Sequence, residues 1–326
     1  KRIGEMIVPE RDELFTYVSL FTLYDRYLAK THDKAVFELP QERWMIIAMW
    51  LMQDEEPNER RLQLVEEAYW AMSNLYMTVA TPTLSSAGKT HGQLSSCFIS
   101  TIDDDLRNIY DGITDMALLS KSGGGIGVSV SKVRPQGSSI KGFKGAAGGI
   151  VPFIKNINET ANAVDQLGTR SGAIAIYLDV WHLDTPAFLD LKLNNGDLRR
   201  RAHDLFYGVV IPDLFMEQVE KRGEWYLFDP HEIRQEMGWK DEHGNALSLE
   251  DFYDEEKGKG SFRDKYYECV NNPNLTKQRV NAIDIMKGIL RAQLETGAMF
   301  MFYKDTVNRA NPNKHAGMIY SSNLCC

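Results

Sequence analysis

Cysteine is scarce in this chain of 326 residues: Cys97, Cys269, Cys325 and Cys326 are the only four. So few exclude a disulfide scaffold and suit a compartment where thiols stay reduced. None forms a Cys-x-x-Cys pair, so a thioredoxin-like motif is missing. The seven histidines are scattered, and His231-Glu232 lacks the second histidine that would complete a zinc helix. No metal site is expected. Basic charge is also short, with 37 Lys and Arg against 45 Asp and Glu, a net charge of -8 that argues against nucleic acid as partner. The one dense basic run, Arg199-Arg200-Arg201, is expected to be a solvated face. The longest apolar run, residues 44–52, is too short to cross a bilayer. Lys1-Arg2-Ile3-Gly4-Glu5 has no signal-peptide core, and a cytoplasmic protein with no membrane partner is expected.

What is present is a globular composition, 43% hydrophobic and 25% charged, long enough for about two domains. Residues 1–79 are expected to form a helical N-terminal region. Leu14, Val18, Phe21 and Tyr24-Leu28, then Ile46, Met49, Trp50, Leu64, Ala68, Ala71 and Leu75, recur at helical spacing and are expected to pack as core. Pro40 is placed to open a helix. From residue 80 to 326 the texture becomes α/β. Strands are expected at 93–100, 126–131, 174–180, 205–211, 225–228 and 299–303, and helices at 106–120, 151–165, 212–221 and 282–296. Strands alternating with helices point to a largely parallel sheet, open or closed into a barrel. Residues 241–265, acidic and aperiodic, are expected to form a surface excursion.

Lys121-Ser122-Gly123-Gly124-Gly125-Ile126-Gly127 resembles a dinucleotide loop but follows a helix where that fingerprint needs a strand, so its glycines are expected to turn the chain from helix into strand. Thr81-Pro82-Thr83 reads as a stiff polar turn, and Cys269 as structural. Cys97 is either a buried small residue or half of a thiol site shared with Cys325, which follows Ser321-Ser322-Asn323-Leu324 on a loop after an apolar strand.

Six motifs in one order carry a resemblance. Thr81-Pro82-Thr83, Ser95-Ser96-Cys97, the glycine motif at 121–127, Gln166-Leu167-Gly168-Thr169-Arg170-Ser171-Gly172-Ala173, Trp181-His182-Leu183-Asp184 and Ser322-Asn323-Leu324-Cys325 are similar to the large, catalytic subunit of ribonucleotide reductases. The resemblance covers residue 10 to the end and implies the first half of a ten-stranded α/β barrel. It implies that Cys325 becomes a thiyl radical that takes the ribose 3'-hydrogen, that Cys97 is a reducing cysteine, and that Asn323, Thr81 and Ser96 hold the substrate. Asp104 and Arg134 match positions that bind a deoxynucleotide or ATP effector. Residues 134–149 match the first effector loop, and Gln166 and Arg170 the second.

The family places a glutamate two residues after the radical cysteine, and this sequence stops one residue before it. The expectation is a piece completed by missing residues or by a second polypeptide, from a truncation, a split gene or an intein, and inactive alone. The implied partners are that second fragment, a metal-containing small subunit that generates the radical, thioredoxin or glutaredoxin as reductant, and a second copy in a homodimer. No cofactor is expected to bind the chain directly. The alternative is a noncatalytic fragment that binds deoxynucleotides and regulates.

Overall fold

Parallel strands buried on both faces appear in sequence as unbroken apolar runs, and the middle of this chain has several. The computed structural model describes residues 2–90, 93–164 and 172–324. Seven strands occur among them: β1 (Cys97–Thr101), β2 (Gly125–Ser129), β3 (Ile174–Asp179), β4 (Phe206–Ile211), β5 (Glu224–Phe228), β6 (Lys277–Asn281) and β7 (Phe300–Tyr303). Five form one sheet in the order β1-β2-β3-β4-β7, every neighbour parallel. The sheet is open, as half of a ten-stranded barrel would be.

Two compact units divide the chain between Ser96 and Cys97, whereas the change of sequence texture lies near residue 79. The first unit is helical. Pro40 occupies the first turn of the helix Pro40–Leu51, and the Glu42 carboxylate accepts from the Leu39 N–H at 2.8 Å, closing that helix's start. Trp44, Met45, Ile47, Val65, Tyr69 and Met72 are buried together. The expected stripe nearer the start is core only at its end: Val18 is 70% and Phe21 55% exposed, while Leu28 is buried, together with Leu23. Thr81-Pro82-Thr83 opens a short helix, Thr81–Ser86, rather than a turn, with Pro82 in its first turn, where its missing N–H costs nothing.

In the second unit the helices Leu106–Lys121, Val151–Ala163, Asp213–Lys221 and Ala282–Thr296 cover one face of the sheet. Ile109, Met116, Ile154, Ile157, Phe215 and Ile289 from those helices bury against Ile126, Val128, Ile176, Leu178, Val209 and Ile211 of the strands. Side chains alternate along a strand, so the other face carries Gly127, Ala175, Tyr177, Gly208, Val210, Phe300 and Phe302.

Two expectations are corrected. β5 leaves the parallel sheet and pairs antiparallel with β6, a strand missed because Lys277-Gln278-Arg279-Val280-Asn281 has almost no apolar residues and is largely exposed. Residues 241–265 are only partly an excursion, since Leu249, Glu250, Asp254 and Phe262 are fully buried. Their acidity signals internal pairing, with Glu250 against Arg234 and Asp254 against Arg263 at 3.2 Å.

Candidate functional site

Glycine inside a strand often marks a place where another backbone comes close. Gly127 lies in β2, and a Cβ there would overlap the Ser322 carbonyl and stand 2.6 Å from the Asn323 Cα. The segment before Cys325 therefore lies on the bare face of the sheet, with Ala175 beside Gly127 in register keeping the trench shallow. Gly208 does the same for a side chain. The Tyr177 ring lies over it, and the Tyr177 hydroxyl donates to the Asn323 carbonyl at 2.7 Å.

Other residues fix the approach. The Asn308 carboxamide donates to the Ile319 carbonyl at 3.0 Å and accepts from the Ile319 N–H at 2.8 Å, the pair of bonds a neighbouring strand would make. Asn308 is buried on the helix Lys304–Ala310. The Tyr320 hydroxyl donates to Asp251 at 2.9 Å, and burial followed by the Asp251 charge pushes its pKa up.

Between this segment and the sheet lies a cavity of about 650 Å³. Cys97, Tyr177, Phe300, Phe302, Ser322 and Asn323 are among its lining residues. Cys97 is exposed at the start of the edge strand β1, so the reading of it as a buried small residue falls. Cys97 and Asn323 are thus brought to one cavity from sequence positions far apart. Cys325, Gln166 and Arg170 lie outside the described residues. Thr81 and Ser96 belong to the first unit, Thr81 exposed and Ser96 half-buried. Cys269 is fully buried in the helix Ser261–Asn271, and burial pushes its thiol up to about 12, which fits a structural residue.

Sequence reasoning missed Tyr177, Asn308 and the role of Gly127. Only Gly127 carried a usable signal, a glycine in an otherwise apolar strand. The turn expected of its motif is made by Gly123, at φ +88°.

A second cavity, of about 530 Å³, opens at the start of the helix Leu106–Lys121. Asp104, Arg134, Ile140, Lys141, Gly149 and Phe153 line it in part. The Arg134 guanidinium donates to the Asp104 carboxylate through Nε at 2.9 Å and Nη2 at 2.8 Å, and the Arg134 N–H adds a bond at 3.0 Å. His231 Nδ1 lies 3.3 Å from the same carboxylate. Burial alone would raise the pKa of Asp104, but the bonds from His231 and Arg134 outweigh it and hold the group below its usual value. Residues 134–149 fold back on themselves through the bridges Gln136↔Gly148 and Ile140↔Phe143.

Arg199 and Arg200 are exposed, while Arg201 donates to the Leu193 and Asn195 carbonyls, so only part of the basic run is solvated. Among the described residues no three His, Cys, Asp or Glu side chains gather as a metal site, and no helix is long and apolar enough to cross a membrane.

A family model described as "Ribonucleotide reductase, all-alpha domain" matches residues 13–92, and one described as "Ribonucleotide reductase, barrel domain" matches residues 95–326. The chain is 47% identical over 317 residues to the ribonucleoside-diphosphate reductase subunit alpha of Treponema pallidum (strain Nichols), covering 97% of this chain and 36% of that protein. It is 46% identical over 324 residues to the subunit of the same name from Helicobacter pylori (strain ATCC 700392 / 26695), covering 99% and 38%. Against the ribonucleoside-diphosphate reductase large subunit of Monkeypox virus it is 38% identical over 327 residues, covering 99% and 39%. The chain thus spans well under half the length of these relatives. The barrel-domain match extends over more than half of the chain, from β1 through the segment lying on Gly127, and on that ground the chain belongs to the large-subunit family of ribonucleotide reductases.

Proposed function

We propose that the chain supplies the effector site and half of the catalytic pocket of a ribonucleotide reductase acting on ribonucleoside diphosphates. The observation that carries this reading is the backbone of Ser322 and Asn323 lying across Gly127, with Cys97 and Asn323 on one cavity. Tyr177 and Asn308 hold the segment still from both sides, and fixed geometry is what hydrogen abstraction by a thiyl radical at Cys325 requires. Cys97, with a second cysteine from the completing part of the barrel, gives two electrons and two protons. The ribose C2'–OH becomes C2'–H, water leaves, and a disulfide forms that thioredoxin or glutaredoxin then reduces. The radical originates on a separate metal-containing small subunit, the chemistry that amino-acid side chains do not supply alone. Leu106, Tyr110 and Leu118, exposed along one helix, support a homodimer of large subunits.

Reconstitution with a fragment carrying the missing glutamate and cysteine, plus the small subunit, tests the catalytic half. Turnover is expected to appear. Cys97→Ser is expected to remove all steady-state turnover with a dithiol reductant while leaving nucleotide binding intact. No turnover from the completed enzyme, with effector still bound, would favour the noncatalytic regulatory fragment instead.

The second cavity is proposed as the effector site, where a deoxynucleoside triphosphate or ATP takes Arg134 with its phosphates and Asp104 with its ribose hydroxyl. Gln166 and Arg170 are proposed to pass the identity of the base to the catalytic cavity. Because Asp104 and Arg134 already hold each other, binding trades one charge-assisted pair for two. At ligand about 100-fold above Kd, the stabilisation expected is about 2.7 kcal/mol, read as a rise in melting temperature. Asp104→Ala is expected to remove at least half of that rise; an undiminished rise would dismiss Asp104 as a ligand.

A further inference from the structure

Trp181-His182-Leu183-Asp184 is a motif to which no role has yet been attached, and one residue separates it from the end of β3. Asp184 is buried, and its carboxylate accepts from the Gln136 N–H at 3.0 Å and from the Ile150 N–H at 3.0 Å. Those two amides stand at the two ends of the loop that lines the second cavity with Arg134, Ile140, Lys141 and Gly149. A single carboxylate therefore closes the loop at its neck.

His182 sets that carboxylate in place. Its Nδ1 accepts from the Asp184 N–H at 3.0 Å, which leaves Nε2 to donate to the Val133 carbonyl at 2.8 Å, just before the loop. The ring is fully buried and bridges motif and loop. Gly149 completes the closure. At φ +75° it brings the chain back so tightly that a Cβ would stand 2.5 Å from Asp184 Oδ2 and 2.6 Å from the Gln136 nitrogen.

We propose that Asp184 is a positioning residue of the effector site, tying both ends of residues 136–150 to one carboxylate so that the nucleotide meets a loop already shaped. A loop ordered in advance costs less to order on binding, which appears as affinity. The inference rests on the reading of the second cavity as an effector site, and it predicts a loss of nucleotide affinity from a residue outside that cavity's lining.

The test uses the full chain, amide hydrogen exchange and calorimetric titration with the four deoxynucleoside triphosphates. In the unsubstituted protein the Gln136 and Ile150 amides share one acceptor, so they are expected to exchange slowly and together; widely different protection would overturn the clamp without any variant being made. Asp184→Asn keeps the size but replaces one of the two acceptor oxygens by an NH₂, so a donor faces at least one of the two N–H groups and the charge is lost. It is expected to speed both amides and to weaken nucleotide binding about tenfold or more, as loss of a hydrogen bond to a charged acceptor does. A merely structural role would lower the melting temperature and leave affinity unchanged, and that result overturns the proposal. Gly149→Ala presses on the carboxylate from the loop side and is expected to speed both amides and weaken binding together; because Gly149 itself lines the cavity, lost affinity with both amides still slow overturns the proposal, so the variant decides the matter if Asp184→Asn does not fold. Failure of every nucleotide to bind the unsubstituted chain would overturn the effector reading instead, while the exchange of the two amides still judges the clamp.

Discussion

Gly127→Ala is expected to abolish turnover of the completed enzyme and to destabilise the second unit by about 3 kcal/mol, the upper end for forcing a methyl group into packed structure. The added carbon would meet the Ser322 carbonyl and the Asn323 Cα, which are backbone and cannot rotate away. Nor can β2 retreat, because it is paired on both sides and fully buried. The strain must instead lift residues 321–324 off the sheet, breaking the bond from Tyr177 to Asn323 and opening the cavity that Cys97 lines. Gly123→Ala is the control within the same motif. There φ is +88° and nothing stands within 4 Å of the new carbon, so only the backbone penalty of about 1 kcal/mol applies and residues 321–324 stay seated. Urea unfolding of the chain and turnover after reconstitution measure both effects. Equal behaviour of the two variants would mean that residues 321–324 do not lie on Gly127.

The contrast between those two glycines shows what sequence could and could not carry. A helix-to-strand turn is a local event, so Gly123 was legible from its neighbours. The work of Gly127 depends on a segment almost two hundred residues later in the chain: a glycine within an apolar strand signals a close approach, but nothing local says what approaches. The parallel sheet was readable for the same reason as Gly123: strands buried on both faces are unbroken apolar runs, and β2, β3 and β4 are such runs. β6 was not, since its residues satisfy β5 through backbone hydrogen bonds and leave their side chains in water. At the sites, Cys97, Asn323, Asp104 and Arg134 came from the order of six motifs, and the structure sorts these four into two cavities. Tyr177 passed for one more apolar residue of a buried strand, because what distinguishes it is a hydroxyl aimed at a carbonyl 146 residues away.

Acidic residues within 241–265 misled for a related reason, and Lys304 shows why charge in this fold is not a surface property. Lys304 is fully buried, with Nζ donating to the Glu250 carbonyl at 2.6 Å and to Asp179 Oδ1 at 3.3 Å. Asp179 is buried at the end of β3, and the only other side-chain donor to that oxygen among the described hydrogen bonds is the Trp181 indole N–H at 3.2 Å. Lys304→Met keeps the aliphatic stem but leaves a carboxylate away from water with one neutral donor and leaves the Glu250 carbonyl without its ammonium partner. Breaking a buried pair from one side costs about 3–5 kcal/mol, and that is the loss expected in urea unfolding. The double variant Lys304→Met with Asp179→Asn removes the stranded charge, so it is expected to be more stable than the single one, the reverse of additive losses. The effect should also reach residues 319–324. Lys304 begins the helix whose Asn308 donates to the Lys304 carbonyl at 3.0 Å and grips Ile319 on its other side. Slackening that helix frees the approach to Ser322 and Asn323, so amide exchange at Ile319 is expected to rise in Lys304→Met and to fall back in the double variant. A single variant as stable as the parent, or a double variant worse than either change alone, would show that the Lys304–Asp179 pair does not hold this end of the sheet together.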